Sequence, residues 1–274
     1  LERIRIAIIG AGNIGTAIAK GLVKSGRFPA RDIMLTRRRI PLLEGMREQG
    51  FMIEGNNRAA VGKSEVVVIA VEPQQIDGVL EEIAPSLEPD RHIIVSIVTG
   101  VSIRQIIHQV GKEVAVVRAM PNTAIAVRES VTCIASDKPD ESAIDVTRSI
   151  FDAVGKTVVI AEEEMIAATA LGACGIAFFL RAIRAASQGG IEIGFNAQNA
   201  LAIAAQTARG AATLLLAMEN HPEYEIDRVT TPRGCTIAGL NQMEHEGFSS
   251  AMIKGITVSA DRAAKLYERG KLEE

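Results

Sequence analysis

The stretch from Ile4 to Gly26, IRIAIIGAGNIGTAIAKGLVKSG, limits the possible folds of this chain more than any other. A β-branched apolar run leads into glycines 10, 12 and 15 in the spacing GxGxxG, and an apolar helical pattern follows from Asn13 to Ser25. Gly10 permits the tight turn, Gly12 lets a pyrophosphate approach the backbone, and Gly15 lets helix and strand pack. Phosphates then sit on the helix N-terminus, beside Asn13 and Ile14, where the free N–H groups and the macrodipole favour negative charge. GxGxxG alone is a weak signal that an ordinary turn also satisfies. A strand directly before it and a helix directly after it make it a dinucleotide fingerprint.

The first part of the chain repeats this alternation. RIAIIG, IMLT, EVVVIAV, HIIVSIV and EVAVVRAM read as strands, with helices expected from Pro41 to Gln49, from Gln74 to Ala84 and near Ser102 to Val110. Strands that are apolar without interruption are buried on both faces, as a doubly wound parallel sheet requires. VTCIAS, a helix around Glu141 to Ala153, and KTVVIA complete a last β-α-β extension. From Glu162 onward the strand-like runs stop, and Ala, Gly and Leu at helical spacing take over. The expected architecture is α/β, a Rossmann-like domain over 1–160 followed by an all-helical domain over 161–274. Ala-rich helices with few aromatics bury little area each, so the second domain is expected to pack against another copy of itself. The acids at Glu162 to Glu164 fit either a helix N-terminus or a plain solvated face.

A cofactor preference can be read after the second strand. NAD sites usually supply an acid there for the ribose 2′-hydroxyl, whereas this chain has Thr36, Arg37, Arg38 and Arg39. Guanidiniums suit a dianionic 2′-phosphate through a bidentate fork, which favours NADPH over NADH, although any one of the three could be a solvated loop charge. Ligands in open parallel sheets bind outside the carboxyl ends of the strands. The loops AVEPQQ, with Val71 and Pro73, and RAMPNTAIAV, with Met120, Pro121, Asn122 and Thr123, should fall there, although each proline also ends a strand for local steric reasons.

Composition removes several alternatives. The net charge of -3, with basic residues spread along the chain, gives no footprint for nucleic acid or an anionic membrane. Cys133, Cys174 and Cys235 are odd in number and far apart, which fits a reducing, cytoplasmic compartment and neither a disulfide framework nor a metal site. The N-terminus reads as part of the fold and not as a leader, because glycines interrupt its apolar run at once. MIAATALGACGIAFFLRAI, followed by Arg184, reads as a buried helical region rather than a membrane span. His92, His108, His221 and His245 are scattered and are expected to be solvated or structural.

Together these motifs resemble the pyrroline-5-carboxylate reductase family along essentially the whole chain. GAGNIG, V-x-P-Q after the fourth strand, R-x-M-P-N-T, A-x-T-A-L ending at Leu171, Q-T-x-x-G-A-A at Gln206 to Ala212, and T-P-x-G-x-T-I-x-G-L with E-x-x-G-F at Thr231 to Phe248 occur in the family's order and spacing. The resemblance implies a Rossmann-like domain, a helical dimerisation domain, a homodimer or ring of dimers, and reduction of a cyclic imine to proline by NAD(P)H without a metal. It also implies that Gly234, Cys235 and Thr236, ahead of a helix expected to begin near Ile237, bind the substrate carboxylate through backbone amides. Cys235 and Thr236 thereby stand closest to the chemistry.

Departures from the family cluster in the substrate pocket. Its Ser-Gly-Ser-Gly-Pro-Ala-Tyr is replaced by a stretch containing Cys174 and Phe178, a following Glu by Arg184, a Gly-Gly-Thr-Thr run by Arg233, Gly234, Cys235 and Thr236, a Lys by Glu72, and a Pro by Ala124. Cys174 and Cys235 are either near-isosteric replacements or a pair that meets in the assembled pocket. Arg233 in a position that demands positive φ would be strained unless its charge is used, for example on a second substrate carboxylate. Two alternatives therefore stand beside the reductase reading: a relative acting on another imine or keto acid, and a non-catalytic nucleotide-binding relative.

Overall fold

The computed structural model describes residues 4–136 and 141–265. Strands β1 (Ile6–Ile9), β2 (Ile33–Thr36), β3 (Met52–Glu54), β4 (Val66–Ile69), β5 (Ile93–Ser96), β6 (Ala115–Met120), β7 (Ser130–Ser136) and β8 (Gly155–Val159) form one sheet in the order β3-β2-β1-β4-β5-β6-β7-β8. Chain order reverses between β1 and β4, so the loops after these two strands diverge and open a crevice at the sheet's carboxyl edge.

Alternation along the strands feeds two separate cores. Ile6 and Ile8 of β1 and Val66 and Val68 of β4 pack with Ile18 and Leu22 of α1 (Asn13–Lys24). Val67 and Ile69 turn the other way, against Ile76, Leu80 and Ile83 of helix Ile76–Ile83 and Ile103 and Ile106 of helix Ile103–Val110. Full burial of each such side chain is worth about 1.5–3 kcal/mol, and both faces of the central strands collect it. This is why the strand runs are uninterrupted in apolar residues. Between α1 and these helices lie α2 (Glu44–Arg47) and α3 (Asn57–Gly62), so the last two are α4 and α5, and Glu141–Phe151 is α6. Ser102 and Gln105 close a capping box on α5, and Gly111 ends that helix at φ 66°.

Three features depart from the sequence expectations. The helix expected over Pro41 to Gln49 is a 3-10 turn, Ile40–Leu43, that relaxes into the single α turn of α2. Strand β3 has three residues at the sheet's edge with Met52 exposed, too short to show an alternation. Strand β7 runs antiparallel to β6, because the nine residues between them hold only a 3-10 turn, Thr123–Val127, and a reversal at Arg128 with φ 63°. A parallel return would need a crossover of a dozen or more residues.

The chain divides into two compact units, one running through Cys174 and resuming at Ser259, the other Gly175–Val258. The first therefore continues beyond Ile160, where the change of composition placed the boundary. It takes in the 3-10 turn Glu162–Glu164, α7 (Met165–Ala168) and a π-helical segment, Thr169–Cys174, because Met165 packs with Met120 and Ala135 on the sheet. The second unit holds α8 (Gly175–Glu192), α9 (Ala197–Met218), α10 (Pro222–Arg228), α11 (Cys235–His245) and the larger part of α12 (Phe248–Ala263). Gly190 and Ala200 let α8 and α9 approach closely, with a side-chain carbon at Gly190 falling 3.1 Å from the Ala200 Cβ.

The apolar stretch expected to be buried is so only in its first part, where Met165 and Ala170 are 0% exposed, whereas Leu171, Phe179 and Leu180 are each more than half accessible within one chain at 59%, 61% and 58%. The stretches Glu162–Glu192 and Ala197–Met218 are long and apolar enough to cross a membrane by length and composition alone. Their small side chains leave few large partners within the chain to cover these faces.

His92 has a structural role, as expected of an isolated histidine. It is 1% exposed, its Nδ1 accepts the Glu88 N–H at 2.9 Å, and its Nε2 lies 3.2 Å from the Val61 carbonyl. With Nδ1 accepting, Nε2 carries the proton and the ring is neutral. His92→Leu strands both backbone groups and is expected to lower the unfolding free energy by about 1–3 kcal/mol, read from urea denaturation at fixed protein concentration.

Candidate active site

The carboxyl edge of the sheet collects four loops in the first unit, those after β1, β2, β4 and β6. Each of the three motif glycines does a separate job. Gly10 has φ 93°, and a side-chain carbon on it would lie 2.6 Å from the Ala70 carbonyl oxygen, so the loops after β1 and β4 touch through it. The same carbon on Gly15 would lie 2.8 Å from the Gly10 carbonyl oxygen and 3.1 Å from Ile8, which makes Gly15 the contact between α1 and β1. At Gly12 the nearest neighbour is 4.0 Å away, so its outer side is open. That open side faces what an incoming pyrophosphate needs: no side chain caps α1, its first turn holds no acid, and among the described residues the N–H groups of Asn13, Ile14 and Gly15 have no carbonyl partner. The residues fit a bound dinucleotide.

Thr36 is 2% exposed, and it contributes through its carbonyl, which accepts the N–H groups of Gly10 at 3.2 Å and Ala11 at 2.8 Å. The end of β2 thus braces the glycine loop. Arg37 is half-buried with its guanidinium 3.4 Å from the Ala11 carbonyl, whereas Arg38 and Arg39 are exposed. Val71 lies against Gly10, and Pro73 opens the 3-10 turn Pro73–Gln75 behind Glu72. After β6 the side chains turn inward: Met120 packs with Ala135 and Met165, and Pro121 and Asn122 are buried. Asn122 Oδ1 accepts the Ala124 N–H at 3.0 Å, and its Nδ2 donates to the Gly172 carbonyl at 3.1 Å. Both ends of this amide are therefore in use within the chain, and among Met120, Pro121, Asn122 and Thr123 only Thr123 presents an exposed side chain.

The loop Thr231 to Thr236 belongs to the second unit. Helix α11 begins at Cys235 and not near Ile237, with Gly234 as its N-cap, so Cys235 and Thr236 are the first helical turn itself. The free N–H groups thus belong to the helix's own first turn. The Gly234 N–H is taken by the Thr231 carbonyl at 2.9 Å, while among the described residues the N–H groups of Cys235, Thr236 and Ile237 have no carbonyl partner and no acid lies in the turn. Gly234 is obligatory, because a side-chain carbon there would meet Thr231, whose carbonyl oxygen lies 2.9 Å from that position. Arg233 holds φ 59° with its side chain exposed, so the left-handed conformation is retained despite the Cβ. Cys174 ends the π segment in the first unit, half-buried, and all three cysteines are free thiols. Burial and the nearby Glu164 carboxylate raise the Cys133 thiol above its ordinary pKa.

Sequence reasoning missed a partly buried ion pair at the same edge. Arg118 of β6, 7% exposed, meets the Glu162 carboxylate at 3.3 Å, and the same Oε1 accepts the Ile103 N–H at the start of α5, at 2.7 Å. Burial lowers the Arg118 pKa, with Glu162 opposing that shift. Glu162 is thus neither a solvated charge nor a cap for its own helix; Glu164 does the capping, accepting the Ala161 N–H at 3.0 Å. An arginine inside the apolar run AVVRAM was the available signal. The π segment gave none.

A family described as pyrroline-5-carboxylate reductase dimerisation matches residues 162–266, and one described as NADP oxidoreductase, coenzyme F420-dependent, matches residues 5–100. Pyrroline-5-carboxylate reductase 1 of Dictyostelium discoideum is 53% identical over 96% of this chain, which spans half the length of that relative. Pyrroline-5-carboxylate reductase 2 of the same organism is 48% identical, covering 95% of this chain and 92% of the relative. Among solved structures, a pyrroline-5-carboxylate reductase from Coxiella burnetii aligns with a TM-score of 0.89 at 29% identity, covering 97% of this chain and 99% of its own.

The strain at Arg233 can be measured directly. Arg233→Gly is expected to raise the unfolding free energy by about 1 kcal/mol, because glycine adopts positive φ without the Cβ penalty. Urea denaturation of both proteins at one concentration checks it, and a destabilised variant would mean that the guanidinium holds the loop.

Proposed function

Because the chain belongs to the pyrroline-5-carboxylate reductase family, we propose that it reduces 1-pyrroline-5-carboxylate to proline with NADPH, the last step of proline biosynthesis. The carrying observation is the glycine loop, open at Gly12 and followed by an uncapped helix N-terminus, in a chain with this family relationship along its whole length. When bound, the cofactor supplies the hydride that the imine carbon accepts. Asn13, Ile14 and Gly15 hold the pyrophosphate by backbone N–H groups, and Arg37, already drawn toward Ala11, takes the 2′-phosphate with Arg38 and Arg39. Val71, Pro73 and the main chain from Met120 to Thr123 lie beside the nicotinamide ribose. The first turn of α11 binds the substrate carboxylate through Cys235 and Thr236, with Gly234 shaping the turn, and Cys174 is assigned to substrate binding on the family resemblance. Positioning and electrostatics account for the chemistry, and no residue is assigned as a general acid.

The enzyme works as a homodimer or a ring of dimers in the cytoplasm, with the sheet unit as the cofactor domain and the helices that follow it as the dimerisation and substrate domain. Three free cysteines and the exposed apolar faces of α8 and α9 support this reading. Neither nucleic acid nor a membrane is a partner.

Arg233 favours a second reading, an imino acid bearing another carboxylate, because an exposed guanidinium is held in a strained conformation beside the anion site. Purified protein with NADPH and pyrroline-5-carboxylate is expected to show saturable loss of cofactor absorbance at 340 nm. Turnover only with a dicarboxylic imine would replace the first reading with the second, and no turnover with any imine would leave a non-catalytic nucleotide binder. In the same assay, Arg37→Ala with Arg38→Ala is expected to raise the KM for NADPH about tenfold or more, while kcat changes little. An unaltered KM would remove the 2′-phosphate assignment.

A further inference from the structure

The π segment Thr169–Cys174 is held in two different ways along its length. Its first half is fixed by burial: Thr169 and Ala170 are 6% and 0% exposed, and the Thr169 hydroxyl donates to the Met165 carbonyl at 2.8 Å. Its second half is less buried: Leu171 is 59% exposed, Gly172 and Cys174 are half-buried, and Ala173 packs only at the margin of the Met120, Ala135 and Met165 cluster. Widening a helix to π geometry takes carbonyls out of the regular ladder. The carbonyl of Gly172, in that less buried half, accepts the Asn122 Nδ2 at 3.1 Å.

Asn122 is itself held at several points. It is 9% exposed, its backbone N–H donates to the Ser130 hydroxyl at 3.1 Å, and its Oδ1 caps the 3-10 turn through the Ala124 N–H. A buried amide hydrogen-bonded at both ends, on the loop after β6, thus contacts the segment that carries Cys174. We propose that Asn122 is a positioning residue: its side chain ties the Leu171–Cys174 end of the π segment to the cofactor loop, setting where the substrate wall stands relative to the nicotinamide. It touches neither substrate nor cofactor through that side chain. This proposal rests on the reductase reading above for its kinetic consequence, though not for the linkage itself.

Asn122→Asp separates the two functions of the amide, keeping an oxygen for the Ala124 N–H while removing the donor to Gly172. Asn122→Ala removes both. In each full-length variant, kcat/KM for pyrroline-5-carboxylate is expected to fall about tenfold or more, with the NADPH dissociation constant from cofactor fluorescence held within about twofold. Hydrogen exchange is expected to quicken at the amides of Leu171 to Cys174 and to stay at wild-type rates in β1 and β4. NADPH affinity lost in step with turnover would make the side chain a cofactor contact and overturn the proposal. Unchanged exchange at Leu171 to Cys174 would overturn it as well. If the wild-type protein does not reduce pyrroline-5-carboxylate, the reductase reading fails by itself, and the exchange measurement still decides the role of Asn122.

Discussion

The close approach of Gly10 to the Ala70 carbonyl governs the candidate active site. At this point the chain order in the sheet reverses, and two strands that are neighbours in the ladder send their chains in opposite directions. Only a residue without a side chain fits there at φ 93°, and only because it fits does α1 begin directly at the edge of the sheet. The brace from the Thr36 carbonyl, the position of Arg37 and the open side of Gly12 all follow from that turn.

Around this edge the structure uses a few buried polar groups, each joining elements far apart in sequence. Arg118 and Glu162 connect β6 to the segment that leaves the sheet, and the same carboxylate caps α5. Asn122 joins the loop after β6 to the π segment, and at the opposite, amino end of the sheet His92, just before β5, spans to Val61. Breaking one partner of a buried pair leaves the other unsatisfied, so these contacts hold a geometry more strongly than their net stability indicates.

The helical unit follows a different logic. Its helices are rich in small residues that allow close approach, as at Gly190 and Ala200, but supply little area to a core of their own. Large apolar side chains such as Phe179, Leu216 and Ile253 remain exposed in one chain. A family relationship described as dimerisation over 162–266 covers these helices. Burial against a second copy is the physical complement of such faces.

Local sequence was sufficient for most of the strand runs, for the tight turn at Gly10 and for the helix–strand contact at Gly15, because each depends on residues adjacent in the chain. The positive φ at Arg233, a condition raised only by comparison with the family's glycine, is present in the structure at 59°. Local sequence misplaced what depends on distant neighbours. Nothing in AVVRAM names Glu162 as the partner of Arg118, and nothing in TALGAC announces a π turn whose carbonyl needs Asn122. The direction of β7 was set by the length and turn geometry of Pro121 to Glu129, and the extent of the sheet unit by the packing of Met165. Periodicity and backbone preference are local and can be read along the chain, whereas the pairing of buried charges, carbonyls and apolar faces is decided only when remote segments meet.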